Sequence, residues 1–124
     1  MTPAELRTRC EVFAVAILEF TNRLVSRLST RDMALQLRRS GTSVAQSYAA
    51  ASIAKSHRDF ISKMRGALEE ADETSRWLRI LDDAKLVDGG VPPDLLSEAR
   101  QLTAIFAASC ATAERREREQ PKRR

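Results

Sequence analysis

The apolar positions of this chain fall into four series, each at helical spacing. The first runs Leu6, Cys10, Phe13, Ile17, Phe20 and Leu24. Its alternating steps of four and three make the seam of a helix packed at a shallow angle on its neighbours. Thr2-Pro3-Ala4-Glu5 opens it: Thr2 can cap, Pro3 suits the first helical position, and Glu5 can reach back to the cap. The pattern predicts an end near Leu28. A second helix follows Ser29 or Thr30, with an inward stripe of Met33, Leu37, Val44, Tyr48 and Ala51, and with Ser40 and Gly41 at the missing step. Small residues (Ala45, Ala49, Ala50, Ala51) allow close approach of a neighbour before the pattern fades at Ile53 to Lys55.

Ser56-His57-Arg58-Asp59 resembles a capping box with Asp in place of Glu. The third series is Phe60, Met64, Ala67, Ala71, Thr74, Leu78 and Leu81, with Asp88-Gly89-Gly90 as the expected left-handed stop. Pro92 and Pro93 introduce the fourth, which carries Leu95, Ala99, Leu102, Phe106, Ser109 and Ala113. Helices of about 25 residues are roughly 37 Å long, and short connections make neighbours antiparallel. The expected fold is all-α, an antiparallel up-down-up-down four-helix bundle over residues 1–118. Residues 119–124 form an expected basic, disordered C-terminal tail, because Glu114 to Arg124 lacks any apolar residue.

Composition narrows the class. Only four Gly and four Pro argue against a β-sandwich, which needs frequent turns. The longest apolar run, Val12 to Leu18, is too short for a bilayer span, and no secretory signal opens the chain. The expected location is therefore cytoplasmic, with no membrane partner. Cys10 and Cys110 make neither a disulfide framework nor a zinc cluster. Counting 18 residues back from Leu28 and 18 on from Pro92 puts them in one layer, as reduced, core-lining thiols.

Candidate chemistry is sparse. His57 is the only histidine and sits beside a helix start, where a solvated loop residue is expected. Glu69, Glu70, Asp72 and Glu73 cluster on the third helix, but none has a His three positions on, so a solvated ion-paired face is expected. No catalytic residue, metal set or cofactor motif is expected, and the chain reads as a non-enzyme.

Charge distribution says more than the net +4. The predicted topology gathers the start of helix 1, the helix 2–3 turn and the end of helix 4 at one pole. Arg7, Arg9, Lys55, Arg58, Lys63, Arg65, Arg115, Arg116, Arg118, Lys122, Arg123 and Arg124 fall there, against Glu5, Glu11, Asp59, Glu114, Glu117 and Glu119, leaving the pole at +6 and the remainder at −2. A phosphate backbone would be drawn to such an end. The alternative is a solubility device of internally paired charges. No aromatic interleaves these residues in sequence, so base stacking is not indicated. Arg23, Arg27 and Arg31 lie at the opposite pole with Asp82, Asp83, Asp88 and Asp94, where a structural role is expected.

Gln36-Leu37-Arg38-Arg39-Ser40-Gly41-Thr42-Ser43-Val44 resembles the helix 2 signature of the four-helix-bundle family encoded by intervening sequences in bacterial 23S rRNA genes. Asp59-Phe60-Ile61-Ser62-Lys63, Glu70-Ala71-Asp72-Glu73-Thr74 and Trp77-Leu78 resemble its helix 3 signature, and spacing matches from about Met33 to Val87. The resemblance extends to the accessory protein of diversity-generating retroelements. It implies a homopentamer that binds RNA or DNA through basic surfaces and partners a reverse transcriptase. Arg38 and Arg39 belong to the signature, which fits either interface salt bridges or phosphate contact. Where the family commonly carries Asn and further polar residues, this chain has Ser47, Ala49 and Ala50, with only Tyr48 in keeping.

One further stripe bears on assembly. Gly66, Glu73, Trp77, Ile80 and Ala84 lie roughly 130° from the helix 3 seam at 100° per residue. Trp77 and Ile80 are therefore the expected contact residues of a homo-oligomer. Two functions follow: an oligomeric module that binds nucleic acid through its basic surface, or a protein–protein adaptor with no nucleic-acid role.

Overall fold

The computed structural model describes residues 1–120. It consists of α1 (Pro3–Thr21), a short 3-10 turn (Leu24–Ser26), α2 (Arg31–Ser52), α3 (His57–Asp83) and α4 (Pro93–Glu119). Each helix packs on its sequence neighbours, and α4 returns to α1 across the thinnest of the four seams. The fold is an all-α, up-down-up-down bundle. The expected tail residues 121–124, with Lys122, Arg123 and Arg124, lie outside the described residues.

The helix starts follow local chemistry. Thr2 forms a complete capping box: its side chain accepts from the Glu5 backbone N–H, and the Glu5 carboxylate accepts from the Thr2 N–H. Ser56 likewise accepts from the Asp59 N–H at 3.0 Å. Each such cap contributes about 1 kcal/mol.

Two helix ends differ from expectation. α1 stops at Thr21, seven residues before Leu28. The Thr21 hydroxyl donates to the Ile17 carbonyl, Leu24 drops into the core, and the buried Thr30 hydroxyl donates to the Leu24 carbonyl at 2.7 Å. This closes the turn and leaves Leu28 95% exposed, with nothing to pack on. α3 ends before the glycines. Lys85 takes the left-handed position at φ 55°, while Leu86 N–H donates to Leu81 O and Lys85 N–H to Asp82 O. That pair of bonds is the Schellman arrangement. Gly89 and Gly90, at φ 77° and 81°, serve the following turn instead, where Asp82 accepts from the Val91 N–H.

The core is the four seams with small shifts. Met33 and Phe60 are only partly buried, Ala34 fills a place beside Leu37, and Cys110 replaces Ser109 in the α4 seam. α1 and α2 approach most closely at Gly41, where a Cβ would lie 2.8 and 2.9 Å from Ile17 side-chain carbons. Between α2 and α3 the buried Thr74 hydroxyl meets the Ser40 hydroxyl at 2.9 Å and the Glu70 carbonyl at 2.7 Å. No buried side-chain polar atom among the described residues lacks a partner.

Both cysteines are free and buried, but they do not share a layer. With α1 ending at Thr21, Cys10 lies 11 residues from the turn and Cys110 lies 18 from Pro92, an offset of seven residues, roughly 10 Å at 1.5 Å per residue. The earlier end of α1 explains the offset, since the count began seven residues too late. Burial is the main cause that pushes the Cys10 thiol up to about 12 from 9.0.

Two stability measurements follow. Gly41→Ala forces a Cβ into Ile17 and should destabilise the protein by about 1–3 kcal/mol in urea unfolding; an unchanged midpoint would mean that α1 and α2 are not packed this closely. Cys10 stays protonated in the folded state while the unfolded thiol ionises. Stability should therefore fall between pH 9 and about 12, by up to about 1.4 kcal/mol per pH unit. Cys10→Ala should flatten that difference, whereas identical pH slopes for the two proteins would contradict it.

Candidate nucleic-acid interface

Helix lengths create the site. α3 and α4 have 27 residues each, but α1 has 19 and α2 has 22. The register of α1 on α4 is set by Arg9, whose Nε donates to Glu98 Oε2 at 2.7 Å and whose Nη2 donates to Gln101 Oε1 at 2.9 Å. Further along the seam, Phe20 and Pro92 line one hollow. This leaves roughly the last dozen residues of α4 beyond the start of α1. On the neighbouring helix, Arg65 of α3 pairs with Glu114, and His57 Nε2 lies 2.9 Å from the Ala113 carbonyl. The end of α4 and the start of α3 thus project together past α1 and α2.

Most of the expected basic residues map to this end of the bundle, Arg7 on α1 and the rest on or beside the overhang, but they are not equivalent. Arg7, Lys55, Arg58, Arg115, Arg116 and Arg118 are exposed and have no ion pair within the described residues. Lys63 pairs with Asp59 at 2.7 Å; this bond, with the Lys55 N–H, holds the Asp59 carboxyl below its ordinary range. Arg65 is taken by Glu114 at 2.6 Å.

Three further candidate residues, Arg9 from the expected basic pole and the signature arginines Arg38 and Arg39, make contacts within the bundle. Arg9 clamps α1 to α4, and its bond to Glu98 raises its already high pKa. Arg39 bridges α2 to α3 through Glu70 at 3.3 Å and through Glu73. Arg38 is half-buried and reaches Thr21 at 3.5 Å. These are helix–helix contacts, because the two signature arginines sit on the half of α2 nearer the opposite end. There, Arg27 meets Asp88 at 3.0 Å, as the gathering of opposite charges implies. Three of the four clustered α3 acids are ion-paired, Glu70 and Glu73 with Arg39 and Asp72 with Arg76 at 3.3 Å.

The structure also brings an aromatic edge to the basic end, which the linear order of residues did not show. His57 is not a solvated loop residue. It occupies the first turn of α3, half-buried, with Glu117 at 3.8 Å, and its ring lies nearly parallel to Phe60 with centroids 6.5 Å apart. Together with Ala108, Ser109, Thr112, Ala113 and Arg116 they line an open recess of about 530 Å³. Phe60 begins the core stripe of α3, but α2 and α1 have ended at its level. Residue spacing gave no signal of this, because α1 reads as long as its neighbours until its end at Thr21 is known.

A family model described as 23S rRNA-intervening sequence protein matches residues 4–108. The chain belongs to that family. The family match covers all four helices but ends before Arg115, Arg116 and Arg118, so the charged turns of α4 lie outside it. A solved structure supports the same assignment of fold. It is described as a protein with unknown function from the S23 ribosomal protein family, from Bacteroides thetaiotaomicron. It aligns with a TM-score of 0.77 and 26% identity, over 90% of this chain and 99% of that one. Among curated proteins none matches. No helix among the described residues of this intervening-sequence family member is long and apolar enough to cross a membrane.

Proposed function

We propose that this protein is a non-enzymatic, homo-oligomeric helical-bundle module that engages RNA or DNA through the basic overhang. The observation that carries the reading is the set of six exposed cations without ion-pair partners toward one end, Arg7 in α1 and five on or beside the overhang of α3 and α4. Cations free of carboxylate partners are available to neutralise phosphate; Arg9 and Arg39 fail that condition and Arg38 is half-buried at the other end, while these six meet it. The reverse transcriptase implied by the resemblance is the protein partner in this reading.

The oligomer reading rests on α3. Ile80 is 49% exposed, and Trp77 is partly covered, its indole N–H donating to Glu73 at 3.3 Å. Arg39 reaches Glu73, so Leu35, one turn earlier on α2, shares the face and is itself 45% exposed. Three large apolar side chains on one side of α2 and α3 support a subunit contact. The resemblance supports a pentamer.

The adaptor reading has one observation in its favour. Between α1 and α4, Val12, Phe13, Ala16, Phe20 and Leu95 form an apolar hollow whose only charged lining residues are Glu19, Asp94 and Glu98. Such a rim repels phosphate and suits a basic protein segment.

Filter binding to RNA and DNA oligonucleotides separates the two. Six phosphate contacts predict a slope of log K on log salt near −4 to −5, and thus about a 10²-fold or greater loss from 50 to 200 mM. Arg58→Glu with Arg115→Glu and Arg116→Glu should abolish binding. Salt-independent retention, or retention equal to that of a neutral protein, would overturn the nucleic-acid reading. Light scattering tests assembly: wild type should be oligomeric, and Trp77→Arg with Ile80→Glu should reduce its mass to that of a smaller species. A monomeric wild type, or an unaltered double variant, contradicts the interface.

A further inference from the structure

We propose that the recess lined by His57, Phe60, Ser109, Thr112 and Arg116 seats a nucleobase of single-stranded nucleic acid. This rests on the nucleic-acid reading above and adds a preference that phosphate contact alone does not provide.

Four features of the recess support that occupant. First, its wall is aromatic: the His57 and Phe60 rings lie at 18° to each other, so they present one stacking edge and not two crossed ones. Base–aromatic stacking is tolerant of sequence, because every base has a π face. Second, that edge is held in place. His57 Nε2 faces the Ala113 carbonyl at 2.9 Å, which fixes the ring against α4 with Nε2 as donor, and Phe60 packs its inner side on the core. Third, the recess of about 530 Å³ lies within the usual range of small-ligand pockets, roughly 300–1,000 Å³. Ser109 and Thr112 add hydroxyls that can serve as donor or acceptor to a base edge.

Fourth, a cation lines it and two more neighbour it along the chain. Arg116 lines the recess, and Lys55 and Arg58 flank His57 along the chain. Glu117 lies 3.8 Å from His57 Nε2. A strand whose base enters the recess brings its backbone to Arg116. A duplex cannot use the recess without extruding a base, which costs a few kcal/mol. The geometry thus favours single strands over duplex of equal charge.

The test is fluorescence anisotropy with three labelled probes of one length: a deoxythymidine oligonucleotide, the same backbone made abasic, and a duplex. Wild type should bind the oligonucleotide at least about 10-fold more tightly than the abasic probe. Phe60→Leu keeps an apolar side chain on the core and should remove most of that advantage while leaving abasic binding unchanged. Ala108→Leu fills the recess from α4 without adding a ring and should do the same, which guards against a folding defect in the first variant. Equal affinity for base-bearing and abasic probes, or no effect of either folded variant, overturns the inference and leaves the phosphate reading standing. Failure of wild type to bind any probe overturns both.

Discussion

Unequal helix length is the constraint on which this molecule depends. A bundle of four equal helices would bury its ends alike and spread its charge around the circumference. Here α1 closes at Thr21 because Thr21, Leu24 and Thr30 fold the chain back at once. The Arg9–Glu98 pair then fixes the height of α1 against the upper part of α4. The surplus of α3 and α4 accumulates at the other end. Every property assigned to the basic end follows: the exposed arginines, the uncovered face of Phe60 and the recess beside it.

Packing and electrostatics divide the charged residues into two kinds. Arg9, Arg39, Lys63 and Arg65 each meet a carboxylate. Partly exposed pairs of this sort contribute little to stability, about 0–1 kcal/mol each, but those of Arg9, Arg39 and Arg65 set register between helices, while that of Lys63 stays within α3. Arg58, Arg115 and Arg116 have no such role, and their repulsion at one end is an expense that an external polyanion would relieve. The same division makes net charge a poor guide, since a third of the cations at issue are already neutralised within the bundle.

Much of the fold was legible from residue spacing. The steps of four and three located all four core stripes, and the Thr2 and Ser56 caps marked two helix starts to the residue. What spacing could not reveal was the end of α1. Leu24 and Leu28 continue the apolar series equally well, yet α1 stops before both, at Thr21, in a turn closed by the Thr21 and Thr30 hydroxyls. That error carried over to Cys10 and Cys110, whose shared layer depended on it. Gly89-Gly90 misled in a similar way: Lys85 accepts the left-handed position because the Leu86–Leu81 and Lys85–Asp82 bonds demand it there. The site was legible as a gathering of charge. Its aromatic edge was not, because Phe60 reads as an ordinary core residue until the heights of the four helices are known.

The central claim is that nucleic acid is held at the α3–α4 overhang. An amide nuclear magnetic resonance titration with a single-stranded oligonucleotide tests it most directly. The account predicts the largest shifts at the start of α3, from Lys55 to Lys63, and over the last three turns of α4, from Ala108 to Arg118. Shifts that cluster instead around Val12, Phe20 and Leu95, or near Arg38 and Arg39, would contradict it.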